Sequence, residues 1–301
     1  EEARAKKVPI DWDIFEPTKP SFLGTKVILD VQLEEILPYI DWSPFFISWE
    51  LAGKYPAILE DEVVGEAATK LFEDAKELLN KIIKEKLYEA RAVIGFFKAN
   101  KVGDDDVEIY KSENGSHEKL TTLNFLRQQN KKAPRLPNFS LSDFICPKEI
   151  GKQDYIGAFV TSCGFGTKEL VKKYDADMDD YNSIMAKALA DRLAEGFTEY
   201  MHMKVRTEYW GYSVDEKLSN ESLIKEEYVG IRPAPGYPAC PDHLEKRKLF
   251  DLLNAEKEIG VELTESFAMS PAATVCGWYF AHPESKYFGL GKIQKDQVED
   301  Y

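Results

Sequence analysis

The sequence predicts an α+β fold built on a mostly antiparallel sheet flanked by helices, and three observations carry that expectation. Short β-patterned runs fall in neighbouring pairs, as at residues 92–97 and 107–110 around the turn Asp104, Asp105, Asp106. Long amphipathic stretches separate such pairs instead of alternating with single strands. There is no internal repeat, no regular βαβ alternation and no complete glycine fingerprint for a dinucleotide, so a Rossmann arrangement is disfavoured. No break in composition argues for two domains.

In chain order, residues 1–26 are rich in charge, proline and aromatics (Trp12, Phe15, Pro17, Pro20, Phe22) without a helical period. They read as an extended arm or linker laid over a surface, with the folded domain at 27–301. The chain opens without an initiator methionine, and the expectation is a piece cut from something longer. A helix through Val31, Leu33, Ile36 and Leu37 should stop before Pro38. Residues 39–46 form an aromatic patch holding one carboxylate, Asp41. Leu71, Ala75, Leu78, Leu79, Ile82 and Ile83 share one face of a helix at about 65–86. Residues 92–97 read as a buried strand, 107–110 as its hairpin partner, and 120–126 and 155–160 as further strands. Residues 130–140 are a loop. The longest helix is expected at 177–205, where Tyr181, Met185, Leu189, Leu193, Phe197 and Tyr200 recur at steps of four or three. Asp242 and Glu245 read as a capping box opening another helix. Strands at 261–263 and 274–280 and a short terminal helix at 294–301 complete the pattern.

Composition narrows the function classes. The 301 residues are 44% hydrophobic and 12% aromatic, enough for a substantial core. No run approaches the roughly 20 apolar residues of a membrane span. The formal net charge of −14 and pI near 4.9 oppose nucleic-acid binding, because phosphate contact would have to overcome that field. Cys146, Cys163, Cys240 and Cys276 show no framework spacing and suit a reducing, cytoplasmic setting.

The most unusual stretch is Gly230-Ile-Arg-Pro-Ala-Pro-Gly-Tyr-Pro-Ala-Cys240. Residues preceding proline are driven out of the α region, so Arg232, Ala234 and Tyr237 should be extended. Pro235-Gly236 is a type II turn signal. The segment either presents an arginine fork on a stiff backbone or is a rigid connector with an incidental arginine.

Other constellations carry less. Gly164-Phe165-Gly166-Thr167 follows a strand but lacks the Gly-Lys-Ser/Thr of a phosphate loop, so it reads as a glycine turn. His117, His202, His243 and His282 are scattered without metal spacing, and no metal is expected. Asp191, Glu195 and Glu199 make an i, i+4 stripe on the long helix, usually a solvated face, although one member could meet a cationic ligand. No local pattern resembles an acid–base engine. Any catalysis should then come from holding a reactive cofactor in place.

At Arg232-Pro-Ala-Pro-Gly236-Tyr237 the sequence resembles the activation (reactivation) domain of cobalamin-dependent methionine synthase. The likeness extends through Ile40-Asp-Trp-Ser-Pro-Phe-Phe46, Leu51-Ala-Gly-Lys-Tyr-Pro56, Ala194-Glu195, Val205-Arg206, residues 236–243 and His282-Pro-Glu-Ser-Lys-Tyr-Phe288, in family order. It implies a helmet-like single domain that binds S-adenosylmethionine (AdoMet). Arg232 would clamp the ligand's carboxylate in a bidentate fork that lysine cannot reproduce. Asp41 would contact the amino group or a ribose hydroxyl, and Tyr287 and Phe288 would flank the nucleoside. Gly236 and Tyr237 would shape the loop, and backbone oxygens beside Ala234 would face the sulfonium. Glu226 and Glu195 sit at family positions as second-tier contacts.

The resemblance also implies the chemistry. Inactive cob(II)alamin, held by another domain of the polypeptide, is reduced by flavodoxin or an equivalent donor and then methylated by AdoMet. A neutral thioether leaves and no proton moves, so positioning is most of what the protein can add. The isolated domain should bind AdoMet as a monomer without turning over. The alternative is a docking module for flavodoxin and the cobalamin domain, with basic patches at Lys131, Lys132, Arg135 or Lys246, Arg247, Lys248.

Overall fold

The computed structural model describes residues 2–111 and 118–301, and His117 lies outside them. Residues 2–23 hold one 3-10 turn, followed by β1 (Gly24–Ile28), α1 (Leu33–Ile36), α2 (Ser43–Ser48) and α3 (Gly65–Lys84). Then come β2 (Glu89–Val102), β3 (Asp106–Tyr110), β4 (Lys119–Asn124), β5 (Asp154–Phe165), α4 (Thr167–Ala176) and α5 (Asp180–Lys204). The chain closes with α6 (Asn220–Ile224), α7 (Glu245–Leu253), α8 (Ala255–Ile259), β6 (Glu262–Leu263), β7 (Met269–Ser270), β8 (Thr274–Tyr279) and α9 (Lys295–Asp300).

The central sheet runs β4-β3-β2-β5-β8, with β1 also on β2, and every strand pairing is antiparallel. One edge of the long β2 is filled by β5, and the other is shared end to end by β1 and β3. The expected α+β architecture without Rossmann topology is therefore present.

Period-two alternation explains why the strands read as nearly continuous apolar runs. Ala92, Ile94 and Phe96 face one core with α3 and α5. Val93, Phe97 and Ala99 face a second core with α7 and α8. Both faces of the sheet are covered. The α3 stripe forms as its spacing predicts, and the helix stops in a Schellman turn with Lys86 at φ 52 and Leu87 N–H donating to the Ile82 carbonyl at 2.9 Å.

The first α-helix ends at Ile36, ahead of Pro38 as expected, and Leu37–Tyr39 follow as a 3-10 turn in which proline's missing donor is not needed. Two local expectations need correction. Asp242 and Glu245 form no capping box: the Asp242 carboxylate takes the Leu244 N–H at 2.8 Å, while Glu245 is buried against Lys248. Lys246 is buried on the Phe267 carbonyl, and the partly exposed Arg247 and Lys248 are ion-paired, so the three do not form a patch of free positive charge.

The N-terminal segment is pinned to the sheet domain. Lys152 Nζ donates to the carbonyls of Trp12, Asp13 and Phe15 at 2.8, 3.1 and 3.1 Å. The Trp12 and Phe15 rings lie 5.0 and 4.3 Å from the His282 ring. Glu284 N–H donates to His282 Nδ1, and burial pushes the His282 pKa down to about 4. A base whose pKa is lowered in the folded state stabilises the fold above its unfolded pKa, and that contribution fades as pH falls towards 4. Stability should therefore drop by about 2 kcal/mol from pH 7.5 to pH 5 through this group. Urea titrations of wild type and His282→Phe across that range check it; equal pH slopes for the two would refute the assignment.

Candidate functional site

Residues 231–233 run beside β8 as an added edge. Ile231 N–H donates to the Phe280 carbonyl at 3.0 Å, Phe280 N–H to the Ile231 carbonyl at 2.9 Å, and Trp278 N–H to the Pro233 carbonyl at 2.9 Å. The missing Pro233 donor costs nothing on the outer edge. The expected type II turn follows: Tyr237 N–H donates to the Ala234 carbonyl at 3.2 Å, with Gly236 at φ +98. Only glycine suits that corner, and an added Cβ would also lie 2.3 Å from the His243 ring.

Arg232 projects from this strap into a polar network. Its Nη2 lies 2.6 Å from Glu199 Oε2, and its Nη1 lies 3.0 Å from both His202 Nδ1 and the Tyr228 hydroxyl. The Arg232 main-chain N–H donates to the Tyr287 hydroxyl at 3.0 Å, which itself sits 3.2 Å from the Tyr228 hydroxyl. Behind it, Arg206 pairs with Glu216 through two contacts of 2.7 Å and approaches Glu199 at 3.8 Å. Both guanidiniums lie over the Tyr228 ring, at 4.4 Å for Arg206 and 5.6 Å for Arg232. Arg206 sits on a π-helical turn, Val205–Tyr209, that ends α5; such turns often mark functional positions.

A depression of about 370 Å³ opens over this network, lined by Asp41, Arg192, Glu195, Glu199, Glu226, Arg232 and Tyr237 among others. Five of the sequence candidates, Asp41, Glu195, Glu226, Arg232 and Tyr237, thus meet in one place. Asp41 also caps the turn into α2, accepting the Ser43 N–H at 2.9 Å. Glu226 holds an uncommon left-handed backbone at φ 58, and burial, partly offset by Arg232, raises its pKa. Tyr237 is 59% exposed. Ala234 and Gly236 lie in the flanking turn. The carbonyls of Pro233 and Ala234 each already accept a main-chain N–H. Tyr287 reaches the site from behind, through the Arg232 backbone. Phe288 stays away, stacked on Phe139 at 5.5 Å.

The sequence reading missed His202 and Tyr228 and misread Glu199. The acidic stripe splits: Asp191 and Glu195 are solvated, whereas Glu199 is buried between two arginines. The available signal was the i, i+3 spacing of Glu199 and His202, with Arg206 just beyond the helix end. Among the described residues, no group of three or more His, Cys, Asp or Glu side chains could hold a metal ion, and no helix is long and apolar enough to cross a membrane.

The fold is thus an α+β domain outside the Rossmann class, with a charged depression at one edge of its sheet. Residues 32–301 match the family described as "Vitamin B12 dependent methionine synthase, activation domain", and the chain belongs to that family. A solved structure described as the MetH reactivation domain bound to AdoHcy is similar throughout. It shares 52% identity at a TM-score of 0.95, covering 100% of this chain and 91% of that one.

Proposed function

We propose that the depression binds AdoMet, and that the chain is the module that supports reductive remethylation of cobalamin. The observation that carries this reading is the inventory of Arg232. Three of its five side-chain N–H groups are engaged by Glu199, His202 and Tyr228, which leaves Nε–H and one Nη2–H for a ligand carboxylate. The lining sets four carboxylates against two guanidiniums, which suits a ligand with an ammonium and a sulfonium as well as a carboxylate. A volume near 370 Å³ falls within the usual range for small-ligand pockets. The similar structure described as bound to AdoHcy supports the same ligand class.

In this reading Asp41, with Glu226 and Glu195 nearby, meets the amino group or a ribose hydroxyl, and the exposed Tyr237 ring packs on the nucleoside. Tyr287 and the Ala234–Gly236 turn fix the strap. Bound AdoMet would supply a methyl group to cobalamin held by another domain, after one-electron reduction by flavodoxin or an equivalent cytoplasmic donor. The protein's own contribution is to hold the methyl donor at an open surface that a second domain can reach. Calorimetric titration with AdoMet tests the reading. Arg232→Ala should weaken binding at least about 30-fold, the scale for removing one partner of a charged contact; unchanged affinity in a folded variant would overturn it.

A further inference from the structure

We infer that Glu199 and His202, one turn apart on α5, are positioning residues that hold the Arg232 guanidinium with its Nε edge free for the ligand. The inference rests on the proposed grip of Arg232 on a carboxylate. A guanidinium only donates, so His202 Nδ1, 3.0 Å from Arg232 Nη1, must be the acceptor. The imidazole proton then lies on Nε2, whose nearest polar partner is the Tyr212 oxygen at 3.4 Å. The ring cannot turn. It is fully buried, stacked on Tyr279 at 5.3 Å and 19°, and meets Tyr228 edge-on at 4.9 Å. Burial first, then Arg206 and Arg232, keep its pKa well below 6.5, so the acceptor lone pair persists at neutral pH.

Glu199 is equally fixed. It faces Arg232 at 2.6 Å and Arg206 at 3.8 Å, and Glu216 holds Arg206 in turn. Each acceptor therefore sits in a rigid frame, and together with the Tyr228 hydroxyl they engage three of the four Nη hydrogens. A donor fixed before the ligand arrives loses no rotamer freedom on binding, which is how preorganisation raises affinity.

The test compares S-adenosylhomocysteine with 5′-methylthioadenosine, which lacks the amino-acid end, by calorimetry on wild type, His202→Leu and His202→Asn. His202→Leu should weaken S-adenosylhomocysteine about tenfold through the unpaired Nη1 donor, and leave methylthioadenosine unchanged. His202→Asn, whose amide oxygen falls near the Nδ1 position, should restore most of the loss. If His202→Leu does not fold, Glu199→Gln should give the same selective loss. Equal weakening of both ligands, or no rescue by asparagine, would mean a merely structural role and overturn the inference. Wild-type binding that favours neither ligand would instead overturn the reading of Arg232 itself. Wild-type preference with an unaffected leucine variant would remove the positioning role alone.

Discussion

Arg206→Leu should destabilise the domain by about 3 to 5 kcal/mol, the cost of removing one partner from a buried ion pair. The Arg206 side chain is 0% exposed, and its fork meets both oxygens of Glu216. Leucine would fill most of the space but leave Glu216 and half of Glu199 facing no cation in an interior that excludes water. Arg206 Nη1 and Glu199 Oε1 make no hydrogen bond, so their 3.8 Å contact adds Coulomb attraction alone. Most of the loss should therefore come from Glu216. The double variant Arg206→Leu with Glu216→Leu should recover a large part of it, since an apolar pair needs no compensation. Urea unfolding of the single and double variants measures both quantities. A single-variant loss under about 1 kcal/mol, or no recovery in the double, would show that water reaches this cluster and that its charges are not confined.

This cluster also marks where reading the sequence stops. The sheet was legible because Ala92 to Phe97 alternate between two cores, and both faces being apolar gave a run that only a buried strand explains. The helices α3 and α5 announced themselves by period. The strap was legible for a different reason: prolines and a glycine restrict the backbone locally, so the type II turn at Pro235-Gly236 needs no tertiary information. β1 was hidden in the arm, because Gly24 to Ile28 become a strand only by pairing with residues 92–96. Glu199 was hidden because its neighbours in sequence, Asp191 and Glu195, are solvated; its own burial depends on an arginine 33 residues away on the strap. Family likeness brought Asp41, Glu195, Glu226 and Tyr237 to one depression, yet it gave no hint that Phe288 would stack on Phe139 instead. Side chains that meet across elements are decided by the packing of those elements, which local pattern does not encode.

Gly277→Val should detach the strap from the sheet and abolish ligand binding together with about 4 to 6 kcal/mol of stability. Gly277 lies in β8, where a Cβ would come 2.7 Å from the Pro233 carbonyl oxygen and 2.9 Å from the Phe159 ring. The ring sits at the core and the carbonyl belongs to backbone, so neither can move aside cheaply. Relief requires residues 231–233 to leave β8, which breaks three main-chain hydrogen bonds worth roughly 1 kcal/mol each, in addition to about 1 to 3 kcal/mol of overpacking. Arg232 sits in the middle of that segment, so a shift of its Cα would carry the guanidinium away from Glu199 and His202. Gly289→Ala is the matched control, because its Cβ would meet only Pro238 at an ordinary 3.8 Å. Unfolding curves and AdoMet titrations on both variants separate the outcomes. Loss of binding in Gly277→Val with AdoMet affinity intact in Gly289→Ala ties the ligand site to the pairing of strap and sheet. A valine variant that keeps wild-type affinity would show that Arg232 holds its place without β8.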